Sequence, residues 1–339
     1  MPDLKFCAHY PFSSEARSYA KEEGIRLDAN SINGGKERLR QGLQDGRLKL
    51  IATELEVDLQ NHISYYAASR AILAAWANNY AKRRMAVAES KAASDYLKSS
   101  PDRAAEYPQK LATSLGISFF PAKQEEGGEE KGKFLIPFWQ YLAYAPQDIH
   151  FKLSNMELSQ GFVKISQAQK VRIIEEAVRK RLEEAPLPKI KEVPKEISQA
   201  ISGLAQYIPK ENLQPLKIDA KDFPPCIKKM LDDMFNSINV PHSGRVALAI
   251  YLIRAGLDDD KINSIFANAP DYSAETSLYQ ISFIRKKGYL MPSCKTMDTY
   301  GLCMAECRCN NPVNFRSEVH GKFARQTMVG EKKGDGIDV

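Results

Sequence analysis

Apolar residues recur at three- and four-residue steps along most of the chain, a spacing that predicts a mainly α-helical protein. Ser13 or Ser14 caps a helix through Glu15, Ala16 and Tyr19 that stops at Gly24, where glycine accepts the left-handed end conformation. From Glu56 to Leu97 neither glycine nor proline interrupts the chain. Leu59, Ile63, Tyr66, Ala67, Ile72, Leu73, Trp76 and Tyr80 form one long apolar stripe there, read as bundle core, with Arg83 and Arg84 beyond it and solvated.

After Pro108 the pattern changes. Leu115 to Phe120 and Gly161 to Ile165 alternate as strands do, around a charged, glycine-containing loop at 124–133 and the dense aromatic run FLIPFWQYLAY at 134–144. A small mixed α/β unit over about 110–165 fits this region. An amphipathic helix carrying Val171, Ile174, Val178 and Leu182 on one face follows it. Prolines at 186, 188, 194, 209, 215, 224 and 225 then break up polar sequence, as at domain edges.

Beyond the prolines, helices return with clear punctuation. One follows Pro225 through Ile227, Met230, Leu231 and Met234, and another carries Val246 to Leu252 and ends at Gly256. Asp258 caps a third with Ile262 and Ile265 inward, and a fourth runs through Leu278, Ile281 and Ile284 to Gly288. The expected organisation is a helical and α/β domain over 1–208, an all-helical domain over 209–325 and a flexible tail over 326–339.

Composition adds little to this. The 43% hydrophobic and 27% charged content over 339 residues is that of a folded chain with ample core. The longest apolar run, Val246 to Ile253, is too short to cross a bilayer, and the first residues lack a secretion signal. A cytoplasmic protein without membrane association is expected. The net charge of +6 is compatible with a polyanionic partner and equally with an ordinary mixed-charge surface.

The cysteines change the picture. Cys7 stands alone and reads as a small buried apolar residue, whereas Cys226 is followed at a distance by Cys294, Cys303, Cys307 and Cys309. Clustered thiols in a cytosolic chain point to metal or redox chemistry. Zinc sites usually show two short CxxC pairs, and none is present; a distant cysteine joined by a downstream group suits an iron–sulfur cluster stapling a domain together. Zinc remains the alternative on pattern alone.

The segments FPPCIKKML (223–231), HSGRVALAIYLIRAGL (242–257), PDYSAETSLYQISFI (270–284), PSCKTMDTYGLC (292–303) and CRCNNPVNF (307–315) occur in an order that resembles archaeal and eukaryotic DNA primase large subunits. The likeness is strongest over about 220–320 and looser upstream, where LIPFWQYL and GFVKIS resemble the part that holds the small subunit. The resemblance implies a C-terminal domain with one 4Fe-4S cluster on Cys226, Cys294, Cys303 and a fourth cysteine. The family's last cysteine sits five positions before the proline of its Asn–Pro element, here Pro312, which favours Cys307; Cys309 is an extra thiol and the alternative fourth ligand.

It further implies a regulatory subunit without an active site of its own. Such a subunit docks on a small catalytic subunit and binds template DNA and the 5′ end of the RNA primer in DNA replication. No Gly-rich phosphate loop is present, and Asp258, Asp259 and Asp260 read as helix cap and surface. Candidate nucleic-acid contacts are His242 and Arg245 at a helix start, and Tyr279, Arg285, Lys286 and Lys287, where aromatic and basic residues mix. The plainer readings are capping, dipole compensation at a helix end, and core packing for Tyr279. Phe134, Phe138, Trp139 and Tyr141 are candidates for the partner interface or, alternatively, for the core of the α/β unit. Two competing functions are a zinc- or cluster-stapled nucleic-acid adaptor outside priming and a redox protein.

Overall fold

In a computed structural model the described residues are 3–319 apart from 26, 100–105, 123–132, 147, 189, 191, 209–222 and 306. The expected charged loop at 124–133 falls almost wholly outside them, as does the 326–339 tail. The chain divides into two compact units, Met1–Ile208 and Pro209–Val339. Helices dominate both.

The first unit opens with α1 (Leu4–His9), capped by Asp3, and α2 (Ser14–Glu22), whose cap is Ser13 with its oxygen accepting from Ala16 N. Next comes α3 (Ala29–Asp45), started by a reciprocal Asp28–Ser31 capping box that satisfies two otherwise orphaned backbone donors. Its glycines allow close helix approach. A Cβ on Gly35 would stand 2.8 Å from Ala68, and one on Gly42 would stand 2.1 Å from Met85 Sδ.

The apolar stripe expected over 56–97 runs along two helices, α4 (Glu56–Trp76) and α5 (Asn79–Ser99). Ala77 adopts φ 52° and closes α4, and the side chain of Asn78 accepts from Ala81 N to open α5. A left-handed alanine has no signature in a glycine- and proline-based reading. Arg84 also departs from its expected solvated place: it is 3% exposed, with Nε donating to the Leu43 carbonyl. The turn into α5 directs it back under α3, where it lies against Gly46.

After α6 (Glu106–Ser114) comes a four-stranded antiparallel sheet of order β1-β2-β4-β3: β1 (Phe120–Pro121), β2 (Lys133–Pro137), β3 (Leu158–Ser159) and β4 (Phe162–Ser166). Helix α7 (Phe138–Tyr144) follows β2 directly. Ile136 pairs with Val163, and these two with Ile165 form the buried face of the sheet. Helix α8 (Gln167–Glu184) lays Val171, Ile174, Val178 and Leu182 into the same core, which also takes Phe6, Tyr10 and Tyr107. Cys7 is fully buried, in a smaller cluster with Ala16, Tyr19, Leu59 and Ile63. Helix α9 (Lys195–Leu204) closes the unit against α3 and α4.

The second unit begins with α10 (Pro225–Phe235), whose first position is proline, a residue already shaped for a helix start. Then come α11 (His242–Arg254), α12 (Asp259–Phe266), α13 (Ala274–Lys287) and α14 (Cys294–Thr299). Ile227, Met230, Met234, Leu248, Leu252, Ile262, Ile281 and Met297 share one core. A Cβ on Gly244 would stand 2.9 Å from Val240 and 3.2 Å from Leu302, so this glycine lets the first turn of α11 sit against the segment leading to Cys303. No helix among the described residues is long and apolar enough to cross a membrane.

Candidate metal and nucleic-acid site

Five of the six cysteines lie on two parts of the second unit's frame. Cys226 is the second residue of α10, directly behind Pro224 and Pro225, and is buried in the main core. Cys294 opens α14, which Ser293 caps by accepting from Thr296 N at 3.2 Å. Cys303, Cys307 and Cys309 occupy the irregular stretch after α14, where backbone bonds rather than regular structure set the path. Cys294 N donates to the Asn310 carbonyl at 2.9 Å, and Asn311 Nδ2 donates to the Met291 carbonyl at 3.2 Å.

Arg308 and Asn310 both take left-handed φ values, 55° and 56°. Alternating the backbone this way leaves Arg308 and Asn310 exposed and turns both Cys307 and Cys309 inward, where they are buried with Phe315. Cys309 Sγ lies 3.2 Å from Cys307 Sγ and 3.5 Å from Cys294 Sγ.

Cys226 lies within electrostatic range of three of these thiols. Its thiol is pushed up to about 12, first by burial and then by the nearby Cys307, Cys303 and Cys294. Burial is also the first cause that raises Cys294 and Cys309. Buried thiols this close together resist ionising, and a bound metal displaces their protons instead. All five donors are soft sulfur, the set preferred by zinc and by iron–sulfur clusters.

Around a single zinc, four thiolates at about 2.3 Å would stand roughly 3.8 Å from one another. Among the described residues no group of three or more His, Cys, Asp or Glu side chains is set to hold a metal ion. The structure thus contributes the gathering of the thiols and not a coordination polyhedron.

A basic and aromatic face lies on α13. Only Ile281 and Ile284 of this helix are buried. Tyr279 is 69% exposed and stacks on Phe283 at 6.2 Å between ring centres; Phe283 in turn meets Tyr289 at 6.2 Å, with the Lys287 ammonium 5.7 Å above its ring. Tyr279 is therefore surface and not core. Phe283 is the member that the sequence reading passed over, although its spacing of four from Tyr279 places both on one helix face.

The cationic candidates divide. Lys286 and Lys287 are exposed, whereas Arg285 donates to Asp259 at 2.6 Å and to the Leu257 carbonyl at 2.6 Å. Arg245 donates to the Val240 carbonyl, Asn239 and Asp271, and His242 is exposed at the first position of α11. Asp258 caps α12 by accepting from Lys261 N at 2.8 Å, and Asp259 holds Arg285 and Ser282.

In the first unit the aromatic run splits across α7. Trp139 is 60% exposed, with Phe138 and Leu142 also exposed. Tyr141 does not join them. It is fully buried, with its hydroxyl donating to the Phe151 carbonyl at 2.8 Å, because the short helix must turn one side onto the sheet. Phe134 is half-buried under the Lys170 ammonium, 4.1 Å from its ring centre. Phe120 and Leu158, on the outer strands, add further exposed apolar surface that the sequence reading had not singled out.

Comparison with known proteins identifies the family. The family described as the eukaryotic and archaeal DNA primase large subunit, C-terminal domain, matches residues 216–329. The chain is 31% identical to the DNA primase large subunit PriL of Methanosarcina mazei, over 97% of this chain and 90% of that protein. It is 30% identical to PriL of Methanocella arvoryzae, over 96% of this chain and 91% of that protein. With PriL of Methanococcoides burtonii the identity is 31%, over 89% and 88%. Similarity sustained along both units, and not only around the cysteines, makes this chain a member of the archaeal DNA primase large-subunit family.

Proposed function

We propose that this chain is the regulatory, non-catalytic large subunit of a DNA primase. In this reading its first unit docks on the small catalytic subunit, and its second unit carries a 4Fe-4S cluster and binds template DNA with the 5′ end of the RNA primer. The observation that carries the reading is the gathering of Cys226 with Cys294, Cys303, Cys307 and Cys309, in the region matched by the primase family. The donor set fits the group: Cys226, Cys294, Cys303 and one of Cys307 and Cys309 would hold it. When bound, the cluster supplies a rigid staple between the start of α10 and the irregular stretch after α14.

The rest follows from the chain's own residues. Tyr279, Phe283 and Tyr289 offer ring faces on which single-stranded bases stack without regard to sequence, and Lys286 and Lys287 supply charge beside them. His242 stands at the start of α11, where free backbone N–H groups favour an anionic group. Phe138, Trp139 and Leu142 on α7 expose apolar surface suited to the small subunit. Such a division of labour belongs to the cytoplasm.

Co-expression with the small primase subunit of the same organism, followed by anaerobic iron and sulfide analysis of the purified pair, tests this reading. A stable complex with about four irons per large subunit is expected. The pair should also synthesise primers while the large subunit alone makes none. Zinc without iron or sulfide would overturn the cluster, and primer synthesis by this chain alone would overturn the regulatory role.

A further inference from the structure

A tetrathiolate site needs four sulfurs, and this one has five. Cys309 is not a bystander on the surface: it is 4% exposed and touches both Cys307 and Cys294. The paired left-handed residues Arg308 and Asn310 bring its side chain and that of Cys307 to the same side of the chain. The remaining three sulfurs are tied to separate anchors, Cys226 to α10, Cys294 to α14 and Cys303 to the turn that follows.

We propose that Cys307 and Cys309 are interchangeable fourth ligands, one bonded to the metal site and the other held in reserve beside it. The inference rests on the cluster reading above. Either thiol can supply the fourth thiolate, the other staying protonated 3.2 Å away, so that exchange moves one proton between the two sulfurs. The number of thiolates and the charge stay constant. No oxidant or reductant takes part. The consequence is a site that survives loss or oxidative damage of either thiol.

The test compares four variants of the full-length chain, prepared anaerobically: Cys307→Ala, Cys309→Ala, the double variant and Cys226→Ala. Iron, labile sulfide, the visible thiolate-to-iron spectrum and helical content by circular dichroism are measured on each. Both single variants are expected to keep about four irons per chain, with spectra that differ from one another because the ligand position differs. The double variant and Cys226→Ala should fall to background iron with helical content retained. Loss of iron in either single variant to the level of the double would overturn the exchange, as would a double variant that keeps its iron. Wild-type protein without iron, or Cys226→Ala with a full cluster, would bring down the cluster reading itself, and this inference with it.

Discussion

Arg245 Nη2 donates to Asp271 Oδ2 at 2.6 Å while its Nε donates to the Val240 carbonyl at 2.8 Å, so one guanidinium ties the start of α11 to the segment before α13. The pair is about three-quarters buried, with side-chain exposures of 24% and 26%. Charge-assisted bonds of this kind contribute about 1.5–3 kcal/mol each, less with partial exposure. Asp271→Asn should speed hydrogen exchange of the Arg245 amide, which donates to the Pro241 carbonyl, about tenfold. The same residue serves to separate structure from binding. If Arg245 grips phosphate as well, Arg245→Ala should lower the salt slope of primed-template binding by about one; an unchanged slope assigns it to the clamp alone.

A second ion pair lies inside the first unit. Arg38 forms a bidentate pair with Glu89, both bonds at 2.7 Å, and Glu89 is only 4% exposed. Removing one partner strands a buried charge, so Arg38→Met should cost about 3–5 kcal/mol. Arg38→Met with Glu89→Leu should recover most of that loss. Urea unfolding followed by Trp76 fluorescence reads the cycle, and equal losses in the single and double variants would contradict it.

Acid sensitivity should trace in part to His9. It is 6% exposed, stacks on Tyr96 at 3.9 Å, and neither ring nitrogen has a partner. Burial first, then the Lys5 charge, lowers it from 6.5 to about 4, with Asp3 opposing and His62 adding slightly. The unfolded chain therefore takes up this proton before the folded one does. The His9 contribution is constant above about pH 6.5, declines as pH falls towards 4 and is fully lost below that, a change of about 3 kcal/mol at most. His9→Phe should flatten the stability–pH curve in this window without lowering stability at pH 7; parallel curves would exclude His9 as the source.

Nucleic-acid binding should depend on Phe283 as strongly as on Tyr279, since the two rings stack and Lys287 lies over the Phe283 ring. Each alanine substitution should weaken single-strand affinity by about 1–3 kcal/mol. Tyr279→Phe should be nearly neutral because the ring face is kept. Fluorescence anisotropy with a labelled oligonucleotide checks all three. Affinity untouched by both alanine variants would remove α13 from the interface.

Local pattern was enough to find α2, α8 and α10 to α13 and several of their ends. Ser13, Asp258, Gly256 and Gly288 mark boundaries where they were expected, because capping and left-handed closure depend on a few adjacent residues. The inward faces of α8 and α10 were legible for the same reason, periodicity being a local property. The break at Ala77 was not, since alanine carries no left-handed preference, and Asn78, which caps α5, was the one local signal passed over.

By itself the sequence determined which chemistry was available: five soft thiols in the last third of the chain, a basic and aromatic stretch, and an aromatic run between two strands. Only the tertiary structure decided how these are presented. It carries Cys226 to thiols that lie at least 68 residues further along, buries Tyr141 while exposing Trp139 two positions away, and turns Arg84 inward and Tyr279 outward. The physical reason is common to all of these. Periodicity assigns a residue to a face of its own element, but which face is covered depends on elements distant in sequence, and no local rule encodes that meeting.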